Sequence, residues 1–128
     1  MRFLVITFLI IVLSAKNQKT FAQEVEHNFE MPAQKTNCDS LNLNSLDEDG
    51  KILAIEAADF RSKQDIKLNR MDGFQAAWFY SCNNNSGYII AKIDNKKRVF
   101  ENIGVNTWNE FISSGDFLGY IDKNFDKK

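Results

Sequence analysis

The chain has one histidine, one proline and two cysteines among 128 residues. The histidine, His27, lies in a polar stretch near the amino end, a poor place for a positioned general base. The cysteines, Cys38 and Cys82, lack the Cys-x-x-Cys spacing of a redox motif. A basic excess is also missing, with 16 Lys and Arg against 17 Asp and Glu, which disfavours nucleic acid as a partner. After the first few residues no apolar run approaches the roughly 20 residues of a membrane span.

The opening residues carry the clearest pattern. Arg2 supplies a positive charge, Phe3–Leu13 is apolar apart from Thr7, and Thr20-Phe-Ala22 puts small residues at the positions a signal peptidase reads. The expectation is a signal peptide over 1–22, cleavage before Gln23 and a periplasmic or extracellular mature protein, with no stable membrane insertion after cleavage. Its apolar run is too short for a spanning helix. Three of the 16 basic residues (Arg2, Lys16, Lys19) and none of the 17 acidic ones fall in this segment, leaving 13 against 17, a balance of −4. The remaining 106 residues suit one domain with a modest core. In an exported chain two cysteines predict one disulfide, Cys38–Cys82.

Residues 23–50 are polar and poorly periodic and read as an irregular lead-in. Over 51–57 a helix is favoured, with Asp49 as its cap and a strand through Ala57–Phe60 as the competitor. Asp65–Asn69, Phe74–Tyr80, Tyr88–Asp94 and Arg98–Ile103 read as strands. Asp72-Gly73, Asn83–Gly87 and Asn95–Lys97 read as the turns between them. Alternation places Phe74, Ala76, Trp78 and Tyr80 on one face and Phe79 on the other. Asn106 or Thr107 then caps a helix carrying Trp108, Phe111 and Ile112. Gly115 ends it, and Asp116 caps a second helix with Phe117, Tyr120, Ile121 and Phe125 inward. The fold class expected is α+β, a small antiparallel β-meander followed by two short C-terminal helices packed on one sheet face. The α+β domain spans 51–128.

Over residues 78–125 the chain resembles the KTSC domain, a small domain found at the carboxyl end of some lysyl-tRNA synthetases. In Val99-Phe-Glu-Asn-Ile-Gly-Val105, Phe100 matches the first residue of that family's aromatic-x-aromatic motif, and Asn102 replaces the second. Val105 matches its valine, Asn106 replaces its proline, and Trp108, Phe111 and Tyr120 match the aromatic helices. The resemblance implies a strand meander followed by short helices, with Phe100, Val105, Trp108, Phe111 and Tyr120 as structural motif residues. It also implies an RNA-binding role, which the acidic balance and Asn102 disfavour here.

No residue pattern points to a catalytic centre, a cofactor or a metal. Asp39 and Asp47-Glu-Asp-Gly50 could attract calcium, but the latter lacks the alternate ligands and distal glutamate of a calcium loop and reads as a solvated turn. Lys96-Lys-Arg98, beside Lys92, reads as a sheet edge kept soluble by charge. Most of the large aromatic set must be core, and whatever set a one-sided cover leaves exposed would be a binding surface. Two functional classes follow. One is a non-enzymatic binding module for a protein, peptide or envelope ligand. The other is a secreted hydrolase or hydrolase inhibitor whose carboxylates carry no local signature.

Overall fold

Four β-favouring runs pair in chain order to make the sheet. The computed structural model describes residues 35–126. The expected leader over 1–22, His27, Pro32 and the first part of the lead-in lie outside the described residues, as do Lys127 and Lys128. Strands β1 (Ser62–Lys67), β2 (Phe74–Ser81), β3 (Ser86–Ile93) and β4 (Lys96–Gly104) form an antiparallel meander in the order β1-β2-β3-β4. Helix α1 (Glu48–Ala57) precedes it, and α2 (Val105–Ser114) and α3 (Phe117–Asn124) follow. No helix of the described residues is long and apolar enough to cross a membrane.

The expected architecture is observed, with one addition. Helices α2 and α3 cover one sheet face, and α1 covers the other. On the first face Phe74, Ala77, Phe79, Ile89, Ala91, Phe100 and Ile103 meet Trp108, Phe111 and Ile121. Phe111 is the hub, with its ring centroid 5.2–5.9 Å from those of Phe74, Trp108, Phe117, Tyr120 and Phe125. The Trp108 ring stacks on Phe79, and its Nε1 donates to Gln64 Oε1 of β1 at 2.7 Å. On the second face Ile52 and Ile55 of α1 bury with Leu43, Tyr80 and Ile90, flanked by Trp78, Tyr88, Val99 and Phe60. The aromatic face expected to stand open is therefore mostly roofed. Both faces of β2 are buried, as its near-continuous apolar sequence requires.

Two bulges overturn strict alternation. Phe74 pairs with Ile93 and Ala76 with Lys92, so Gln75 is an extra residue on β2. The extra residue reverses the parity, and Phe74 joins Phe79 and Ala77 rather than Trp78 and Tyr80. The buried Gln75 amide ties two turns together. Its Nε2 donates to the carbonyls of Arg70 and Met71 and to Asn95 Oδ1, and its Oε1 accepts from Asn95 N–H. On β4, Glu101 and Asn102 together oppose the single Tyr88, and Asn102 takes a left-handed φ of 56°. This bulge brings Phe100 and Ile103 to the same face. Ile103 thereby supplies the apolar group that an aromatic at 102 would have supplied in an unbulged strand.

Several element boundaries differ from the sequence reading. Helix α1 starts at Glu48, and its cap is Asp47, whose side chain accepts from Gly50 N–H at 2.9 Å; Asp49 lies inside the first turn. The last part of the lead-in is thus helical, and Cys38–Ser40 forms a 3-10 turn. The competing strand over 57–60 reduces to one parallel bridge, Asn37 with Asp59. Strand β1 begins at Ser62, before the apolar alternation at 65–69, because backbone pairing with β2 extends it irrespective of its polar side chains. The β3–β4 turn is Asp94-Asn95, both at positive φ, the primed geometry a two-residue hairpin needs, and the lysines of the expected turn belong to β4. Neither Asn106 nor Thr107 caps α2. The helix leaves β4 directly at Gly104, and Val105 N–H finds the carbonyl of Asn85 at 2.8 Å instead. Gly115 ends α2 with φ 70°, and Asp116 caps α3, both as expected.

Helix α1 also follows the outer strand β4. Lys51 pairs with Glu101, Glu56 pairs with Lys97, and Glu48 Oε1 accepts from the backbone N–H of Val99.

Candidate functional site

The disulfide expected from composition is present. Cys38 on the 3-10 turn bonds Cys82 just beyond β2, with their Cα atoms 5.8 Å apart. It fixes the lead-in to the sheet at a point where the backbone is already paired, since Cys38 N–H donates to the carbonyl of Asp59 and Asp59 N–H to that of Thr36.

The acidic turn is occupied by structure. Asp47 caps α1, and Glu48 holds the β4 edge. The basic hairpin is likewise engaged. Lys97 pairs with Glu56 and lies 5.8 Å from the centre of the Trp78 ring. Arg98 makes a two-pronged pair with Asp126 over the Phe100 ring. That hydrogen-bonded pairing raises the guanidinium pKa above its ordinary value. Arg98 is therefore held by protein carboxylate, and a phosphate would have to displace Asp126 to reach it.

The motif residues fall into two groups. Phe100, Trp108 and Phe111 are core, and Val105 packs against the core edge. Tyr120 differs. Its ring touches Phe111 and Phe125, while its hydroxyl reaches an open groove between α2 and α3. Glu110 and Ser114 line that groove from α2. Asp116, Gly119, Tyr120, Lys123 and Asn124 line it from α3. It encloses about 360 Å³.

Helical spacing builds this site. Glu110 and Ser114 are four apart on α2, and Asp116, Tyr120 and Asn124 are four apart on α3, so each set forms one stripe. Asp116 accepts from Gly119 N–H at 3.1 Å. A side chain at Gly119 would come within 2.2 Å of that carboxylate, so the glycine keeps the groove floor low. Tyr120 OH donates to Glu110 Oε2 at 3.1 Å, and Asn124 Nδ2 donates to the Tyr120 carbonyl at 3.0 Å. Ser114 Oγ donates back to Phe111 O, leaving its lone pairs toward other donors. Partial burial and the bond to Glu110 raise the phenol pKa above its ordinary value, so Tyr120 is a hydrogen-bond donor at neutral pH. The lining offers two carboxylates, one ammonium, a phenol, a hydroxyl and an amide. These groups can form hydrogen bonds and ion pairs.

Tyr120 and Asp116 were legible in the sequence, one as a motif residue and the other as a cap. Glu110, Lys123 and Asn124 were not singled out. The polar face opposite Phe111 and Ile121 was the available signal for them. No family model, curated protein or solved structure matches the chain. The site is thus defined by its own geometry, as a polar groove on the helical layer of a disulfide-stapled α+β domain.

Proposed function

We propose that the chain is a KTSC-domain-like exported protein, a non-enzymatic binding module acting outside the cytoplasm on a protein, peptide or envelope ligand. The observation that carries this reading is the α2–α3 groove, where Tyr120, Glu110 and Lys123 line one polar surface among the described residues. RNA binding is disfavoured because Lys97 and Arg98 are paired with carboxylates and the charge balance beyond the leader is negative. A hydrolase reading would rest on Glu110 and Asp116, and Asp116 is engaged as the α3 cap.

Affinity capture from envelope extract, with wild-type and Glu110→Gln, Lys123→Ala baits, tests the module. A partner retained by the wild type and lost by the variant is expected. Capture that ignores both substitutions overturns the groove as the site. Intact-mass measurement of protein recovered outside the cytoplasm should give a chain beginning at Gln23. Recovery of the whole chain from membranes overturns the export reading.

A further inference from the structure

We propose that the Cys38–Cys82 disulfide is the closed state of a redox-gated metal site. After reduction, Cys38, Cys82 and Asp39 together bind one thiophilic divalent cation, Zn2+. The sulfurs are bonded to each other in this structure, so their positions stand in for the two thiolates. Both Sγ atoms and an Asp39 carboxylate oxygen lie within 4.8 Å of one another. A tetrahedral zinc with bonds of roughly 2.3 Å to sulfur holds its sulfurs about 3.7 Å apart. Opening the disulfide therefore needs a shift of side chains, with no rebuilding of backbone.

The Asp39 carboxylate is the first reason. Its Oδ2 is held by Arg61 at 3.4 Å, and its Oδ1 lies 2.9 Å from Cys82 Sγ. A sulfur in a disulfide carries no proton, so this oxygen receives no hydrogen bond from Cys82 in the oxidised protein. After reduction the same oxygen stands where it can share a cation with the Cys82 thiolate. Arg61 then acts as the outer group that orients a metal-bound carboxylate.

The second reason is that both anchors are held without the disulfide. The turn bearing Cys38 and Asp39 is fixed by the Asn37–Asp59 bridge, by Cys38 N–H on Asp59 O, and by Asp39 N–H on Asn37 Oδ1. Cys82 follows Ser81, which pairs with Ser62 on one side and Gly87 on the other. Access is from the Asp39 side, because Cys38 is buried while Asp39 is exposed. Two thiolates and a carboxylate suit zinc and leave its fourth position to water.

The chemistry balances with an external dithiol as reductant. The dithiol supplies two electrons and two protons and becomes a disulfide; the Cys38–Cys82 bond breaks, and each sulfur gains a proton. Zinc binding then releases both thiol protons. Re-formation of the bond passes two electrons from the thiolates to an external disulfide, which takes two protons from water to become a dithiol, and the ion is expelled.

The test uses the full 128-residue chain. It is reduced with dithiol, freed of reductant without air, and titrated with Zn2+ alone and with Co2+ as an optical probe. We expect one equivalent bound, release of about two protons, and cobalt–thiolate charge-transfer absorption. The oxidised chain should lack that absorption. In the reduced chain Asp39→Asn should weaken binding about tenfold or more, and Cys82→Ser should abolish the absorption. Equal binding by oxidised protein overturns the proposal. So does indifference to Asp39→Asn, and so does a reduced chain whose turn unravels and binds no metal, since the site depends on anchors that persist.

Discussion

Among the described glycines, Gly87 has the least room for a side chain. A Cβ there would sit 1.9 Å from the Tyr80 carbonyl oxygen, and that oxygen is backbone. Gly87→Ala should therefore cost on the order of 3 kcal/mol, as overpacking of a fixed contact does. Urea titration followed by circular dichroism would read it. Asn102 gives the opposite kind of test, because its left-handed backbone disfavours a β-branched side chain. Asn102→Val should destabilise by about 1–2 kcal/mol, while Asn102→Gly should be close to neutral. Tyr80 makes stability sensitive to alkaline pH. Burial first, then Glu56 and Asp65, push its phenol up to about 12 from the ordinary 10. Between those values the unfolded chain loses a proton that the folded chain keeps, so stability falls as pH rises through the window. Tyr120 contributes in the same direction. Unfolding free energies between pH 9 and 12 should show a negative slope that Tyr80→Phe makes shallower.

At the scale of elements, the cap and the roof can be separated. Asp47→Ala removes the side-chain acceptor at the start of α1 and should cost about 1 kcal/mol in chemical denaturation. Asp49→Ala, inside the helix, should cost less. Much of the fold was legible at this scale. Alternating and aromatic runs revealed the strands, and the 3–4 spacing of Trp108, Phe111, Phe117 and Ile121 revealed α2 and α3. The bulges were hidden because one extra residue changes no composition, yet it reverses every later side chain. Phe74 was misassigned for that reason. The absence of a side-chain cap on α2 was equally hidden, because the group serving Val105 N–H is a loop carbonyl twenty residues earlier. The groove is assembled from stripes on two helices, and neither stripe is distinctive alone. Ile112 shows the same limit. Its spacing suits the inner face, but it stays about a third exposed where α2 outruns its cover.

Over the whole molecule, the disulfide is the link between the lead-in and the sheet. It closes a separation of 44 residues, worth on the order of 4 kcal/mol on loop entropy. Reduction in the absence of metal should lower the denaturation midpoint accordingly, and hydrogen exchange should quicken first over residues 41–46, between the hydrogen-bonded turn at Cys38–Ser40 and α1, where Leu43 is the main buried apolar group. The two aromatic layers should remain protected. Equal acceleration across β2 and β3 would show that the staple holds the whole domain.

Helix α1 has one more consequence, for polymerisation. An outer strand with free amides is a template onto which another chain can zip. Here the Val99 amide on β4 is occupied by Glu48, and the flanking Lys97 and Glu101 are tethered to the same helix. Peeling α1 away would uncover the Tyr80–Ile90 surface and unlatch that strand in a single event. Those are the two ingredients of cross-β growth, a sticky face and an unpaired margin. Proteolytic loss of α1 should therefore yield fibrils more readily than dispersed unfolded monomer.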